Sequence, residues 1–198
     1  MNAAASRSQL GTLLMGGAVV PDAGNIHLIK TLRYDTTPAV KSATATKTAL
    51  ALTASAQVGV TAGIVQPDVP RTMTIKGSAS GISGNVTIHG TNFASAVVSD
   101  TIALNGTAEV LGLVAFLTVT SIDYPAYTNG GSDTVSIGRG AGIGFPAPLQ
   151  NTAALITADL NGVSDGGTPV ADRTIGKSVY IVNGAMNGAK TLSLTFLV

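Results

Sequence analysis

The sequence contains no cysteine and no tryptophan, and it is poor in charge and in aromatic rings. Without cysteine there is no disulfide framework and no thiolate metal site. Lys, Arg, Asp and Glu make up 11% of the 198 residues, against about 25% in an ordinary globular domain. Eleven basic residues face ten acidic ones, for a net charge of +1. No stretch combines clustered Lys or Arg with interleaved aromatics, so no nucleic-acid footprint is expected. Near-neutrality also removes long-range steering toward a charged partner. Long apolar runs are missing too. None approaches the ~18 residues of a membrane-spanning helix, and no membrane partner is expected. The nearest run, Leu10 to Val20, is short and broken by glycines. Arg7 precedes it, but Pro21-Asp22 sits badly for leader cleavage, so it reads as part of an N-terminal arm.

What remains is an apolar, small-residue chain. Hydrophobic residues are 45% and Gly alone contributes 24 positions. Disorder is a poor explanation, because disordered chains pair low hydrophobicity with high net charge. A compact chain of this size buries roughly 70% of its unfolded surface, enough for a core without staples. So few surface charges suit a protein that hides its surface against neighbours.

Period-2 alternation in runs rich in Val, Ile and Thr is the dominant pattern, and it predicts an all-β fold, an antiparallel sandwich or barrel-like domain. Thr72 to Lys76 alternates and closes at Gly77; Asn85 to His89 closes at Gly90. Further runs are Val97 to Leu104, Ala115 to Ile122, Thr134 to Ile137, Ala153 to Leu160, Lys177 to Val182 and Thr191 to Val198. In the last, Leu192, Leu194, Phe196 and Val198 share one face. Asn-Gly pairs at 105–106, 129–130, 161–162, 183–184 and 187–188 tolerate the positive φ of tight turns. The last two predict a C-terminal hairpin over 177–198. Residues 1–45 are less periodic and read as an extended arm, with a strand expected at Ile26 to Leu32 and a weak helix candidate at Ser6 to Met15. Residues 46–198 read as one β domain, since the 50 residues after Phe145-Pro146-Ala147-Pro148 are few for a separate core.

The search for chemistry yields no catalytic, cofactor-binding or metal residues. His27 and His89 have no recognisable ligand spacing, and each reads as structural. The nearest acid to His89 in sequence is Asp100. Gly138-Arg139-Gly140-Ala141-Gly142-Ile143-Gly144 has Ile where a dinucleotide fingerprint needs its third glycine, and prolines follow instead of a helix. The glycines are expected to form a bulged or closely approached strand edge. The acids Asp22, Asp35, Asp68, Asp100, Glu109, Asp123, Asp133, Asp159, Asp165 and Asp172 are scattered. Asp159 to Asp165 lacks the alternating ligands and closing Glu of an EF-hand loop and reads as a polar hairpin loop, with calcium binding left open. No G-x-S-x-G elbow occurs. Neither a small-molecule substrate nor a cofactor is expected.

Pro70 to Pro146 carries a resemblance. Its segments PRTMTIKGSASGISGNVTIHGTN, VVSDTIALNGTAEVLGLVAFLTVTSIDYP and DTVSIGRGAGIGFP resemble tailed-bacteriophage virion proteins, in particular the β-sandwich capsid decoration (cement) proteins. The resemblance is one of strands and turns and transfers no site residue. It implies a non-enzymatic structural protein of the virion, assembled in the host cytoplasm. Its partners would be the major capsid protein or other virion proteins, together with copies of itself, and residues 1–45 and the C-terminal strand would make those contacts. A tail-tube or head–tail joining subunit is the alternative within the particle; a cell-surface adhesin or carbohydrate-binding module is the alternative outside it.

Overall fold

The computed structural model describes residues 18–22, 25–128, 130–173 and 176–198, and for 18–22 and 25–29 the backbone alone. The Ser6 to Met15 helix candidate lies outside the described residues, as does most of the Leu10 to Val20 run.

The described chain is all-β. Its strands are, in order, β1 (Ala18–Asp22), β2 (Asn25–Ile29), β3 (Thr31–Thr36), β4 (Ser42–Ala51), β5 (Gln57–Val60) and β6 (Arg71–Gly77). Then come β7 (Asn85–Thr91), β8 (Val97–Ala103), β9 (Val110–Phe116), β10 (Thr118–Tyr124) and β11 (Thr134–Gly144). The chain closes with β12 (Leu155–Leu160), β13 (Val163–Ser164), β14 (Thr168–Val170), β15 (Val179–Ile181) and β16 (Leu192–Leu197). All described pairings are antiparallel. Among the described residues the only helical turn is a short 3-10 segment, Thr152–Ala154.

β11 organises the body. Its eleven residues pair with β6 on one edge, while the other edge is shared between β4 at Thr134 to Arg139 and β15 at Gly142 to Gly144. The resulting sheet runs β14-β15-β11-β6-β9, with β4 off that path. Two smaller sheets, β5-β10-β7-β8 and β13-β12-β16-β3, supply the facing layers, and β1 and β2 pair with each other.

Two cores result. In the first, Met73, Ile75, Val135 and Ile137 of the long sheet pack on Val86, Ile88 and Ile122. The alternation in β7 buries Val86, Ile88 and Gly90 and turns Asn85, Thr87 and His89 outward. In the second, Ile143, Phe145 and Tyr180 meet Leu160, Leu192, Leu194 and Phe196, with the Phe145 and Phe196 rings edge to face at 4.9 Å. Each such side chain contributes roughly 1.5–3 kcal/mol by leaving water. Val135 and Ile137 serve one core and Ile143 the other, so one strand joins both.

Three expectations need correction. The 177–198 hairpin does not form: β15 pairs with β14 and β11, whereas β16 pairs with β12 and β3. The two Asn-Gly turns steer the chain between layers instead. Asp165 holds the amides of Asn183 and Gly184, and Gly188 donates to the Pro38 carbonyl. The Ala115 to Ile122 run is two strands, because the chain leaves the long sheet in β9 and enters the β7 sheet in β10, with the Leu117 amide bonded to Thr91. The glycine-rich segment is closely approached, but it is an interior strand and not an edge.

Within the range read as an arm, β3 pairs with β16 along its whole length, from Leu192↔Thr36 to Leu197↔Thr31. β4 begins there too, at Ser42. The strand expected at Ile26 to Leu32 is divided between β2 and β3 at Lys30.

Candidate functional site

The most elaborate polar constellation lies where β11 exchanges β4 for β15. Arg71, at the head of β6, is fully buried. Its Nε donates to the Gly140 carbonyl at 2.9 Å, and Nη2 donates to the same oxygen. Nη1 donates to the Ala39 carbonyl at 3.1 Å and to Asp68 Oδ1 at 2.9 Å. The Ala39 amide returns to Asp68 Oδ2 at 2.6 Å, and Arg139 Nη1 stands 3.5 Å from Oδ1. Glycine permits this crossing: a Cβ on Gly140 would meet Leu111 and Thr72, and one on Gly138 would meet the Ser42 carbonyl and the Ala43 backbone.

Burial alone would raise the Asp68 carboxyl. The Ala39 amide and the Arg71 charge outweigh it and hold the group below its ordinary range. Burial pulls the Arg71 guanidinium down, against the opposing pull of Asp68. An arginine stays charged in a protein and accepts no hydrogen bond. The cluster therefore clamps the 38–40 segment, β6 and the β11 irregularity together.

His89 has an acidic partner that sequence distance concealed. Its Nε2 lies 2.9 Å from Asp123 Oδ2, across the β7–β10 pairing that aligns Ser121 with His89 and Asp123 with Thr87. The Gly59 amide donates to the other Asp123 oxygen at 2.7 Å. The Gly59 amide first, and His89 second, lower the Asp123 carboxyl below its usual range. The pair lies on the outward face of its sheet and ties edge strand β5 to β10 and β7. Strand order supplies this contact, and only a reading that paired β7 with β10 would have revealed it. His27 falls in β2, where the backbone alone is described.

The 159–165 loop is a hairpin between β12 and β13 around Asn161-Gly162. The Asp165 carboxylate accepts from the Gly184 amide at 2.6 Å, the Asn183 amide at 3.0 Å and the Tyr180 hydroxyl at 2.8 Å. Its oxygens thus hold the 183–184 turn. Burial, then the Asp165 bond, raise the Tyr180 hydroxyl above its ordinary value. Among the described residues no three His, Asp or Glu side chains are grouped to hold a metal.

An open groove of about 700 Å³ separates Val40-Lys41, Glu109-Leu111 and the Ile181–Met186 segment. Thr74, on its floor side, is 2% exposed, and its hydroxyl has no hydrogen-bond partner. The lining is mostly aliphatic and backbone, with Lys41 and Glu109 as its charges. No protein family, curated protein or solved structure matches the chain.

Proposed function

We propose that the protein is a non-enzymatic structural subunit of a phage particle, a capsid decoration protein that binds between subunits of the major capsid protein and stabilises the head. The observation that carries this reading is the character of the surface. Val97 is 88% exposed, Val58 79%, Val163 70% and Leu113 63%, in a chain with only 11% charged residues. These side chains lie on four different strands, β8, β5, β13 and β9. A surface of this kind gains by being covered, and stable interfaces cover about 1,200–2,000 Å². The resemblance of Pro70 to Pro146 to cement proteins supports the same reading.

The test is co-sedimentation of the purified chain with empty phage heads. Saturable binding, with heads that resist heat better when decorated, is the expected result. A variant lacking residues 1–29, which keeps β3 in its sheet, is expected to keep the β fold and to bind less. Failure of the full chain to bind heads overturns the proposal, and spontaneous rings or tubes would point to the tail instead.

A further inference from the structure

Sheet edges are hazards, and most edges here are blunted. β14 carries Pro169, which has no amide to offer. β5 is interrupted by Gly59 at φ +67. β13 has two residues. The Thr46 carbonyl of β4 already accepts the Val65 amide. β8 is turned against β9, where Asp100 Oδ2 accepts the Leu113 and Val114 amides at 2.8 and 3.1 Å. Such devices are how folded proteins avoid pairing with strangers. Among the described residues, β3 has none of them. It is the last strand of the β13-β12-β16-β3 sheet, six residues long, TLRYDT, without Pro or Gly.

The polarity of that edge follows from its end. Lys30 and Val198 exchange both backbone hydrogen bonds, at 3.2 and 2.9 Å. Hydrogen-bonded pairs alternate along an antiparallel ladder. Leu32, Tyr34 and Thr36 therefore direct their amides and carbonyls toward β16, and Thr31, Arg33 and Asp35 direct theirs outward. Arg33 and Asp35 are also the only charges of β3, on one face, with side chains 66% and 47% exposed.

We propose that two copies of this chain pair edge to edge through β3, antiparallel, about a two-fold axis at Tyr34. In that register Arg33 of each copy lies opposite Asp35 of the other, and these two residues carry the outward-pointing backbone groups. About four backbone hydrogen bonds form across the seam, two for each such pair. Opposite charges directly across a ladder stabilise it, and like charges there destabilise it. Registers centred on Arg33 or on Asp35 set like charges face to face, so charge selects the axis at Tyr34. On the other face, Leu32 and Phe93, each 37% exposed, lie beside the seam, with Phe93 packed edge-on against Tyr34 at 5.7 Å. Dimerisation makes one continuous sheet from β13 of one copy to β13 of the other. This inference does not depend on a role in a particle.

The experiment is sedimentation equilibrium of the full chain, with circular dichroism to verify the fold. A monomer–dimer equilibrium is expected. Arg33→Asp and Asp35→Arg each set two like-charged pairs across the axis, and each should weaken the dimer about tenfold or more. The double variant R33D/D35R restores opposite pairs and should recover the dimer. Arg33→Pro, which removes an outward amide and leaves the bonds to β16 intact, should give folded monomer. A wild-type chain that is monomeric at every accessible concentration overturns the proposal. So does an oligomer indifferent to these variants, or a double variant as weak as either single one. A dimer that fails to bind heads would reject the particle reading and leave this one standing.

Discussion

Arg71 Nη1 lies 2.9 Å from Asp68 Oδ1, with no part of the arginine side chain reaching solvent. Taking a charge out of water is costly, and this one is offset because all three guanidinium nitrogens donate to a carbonyl or to the carboxylate. The pair works as a fixed joint between the segment that carries Ala39 and the strand that both cores share.

Replacing Arg71 by Ala should accordingly cost about 3–5 kcal/mol, the range for removing one partner of a buried ion pair. Arg71→Lys keeps the charge but loses the fork that reaches Gly140 and Ala39 together, and should fall between wild type and Ala. Urea unfolding of the three proteins measures both, and equal midpoints would refute the joint.

Gly138→Ala should be among the most damaging single-methyl changes in the chain. The added Cβ has backbone, not a movable side chain, in its way. The expected response is separation of β4 from β11, seen as loss of amide protection over Ser42 to Ala51 before the rest of the protein unfolds. Unchanged exchange there would show that β4 can shift aside.

Much of the fold was legible in residue order. The alternation of Val86 and Ile88, and that of Leu192, Leu194 and Phe196, marked faces that are buried. β4 was not legible, because Ser42 to Ala51 alternates only Ala with Thr and has Leu50 as its one large apolar side chain, and its place is set by the glycines of β11. β9 was hidden for another reason: its apolar run continues into β10, and nothing local marks the change of sheet at Leu117. The His89–Asp123 and Arg71–Gly140 contacts span 34 and 69 residues, so they follow from strand order alone.

Asp165 should matter more than its loop position suggests. Asp165→Ala leaves the Asn183 and Gly184 amides to find new acceptors, while the Tyr180 hydroxyl keeps the residue-165 backbone carbonyl, at about 1–3 kcal/mol. Tyr180→Phe, which removes one of those donors and the acceptor of the Gly167 amide, should cost about 1 kcal/mol. Thermal melts of both variants decide it. If added calcium raises the melting temperature of wild type but not of Asp165→Ala, the carboxylate has a second role.

Acid should destabilise the fold through Asp68 and Asp123, both of which have lowered folded pKa values. Their contribution is complete above the ordinary carboxylate value of about 3.9 and is lost as pH falls through the lower folded values. A carbon-detected NMR titration should place both below model aspartate. His89→Gln should return Asp123 only part of the way, because the Gly59 amide is the larger cause. Full return to the model value would overturn that ranking.

The pairing of β3 with β16 also sets how the chain bears load. Thr31 stands opposite Leu197, so the polypeptide enters and leaves this ladder at the same end. A pull on the two termini would peel the strands apart one hydrogen bond at a time, where a shearing pull would strain all of them together. Tension on both ends is thus the weakest direction for this sheet. A contact that joins β3 to another strand would stiffen the protein just where its own topology leaves it soft.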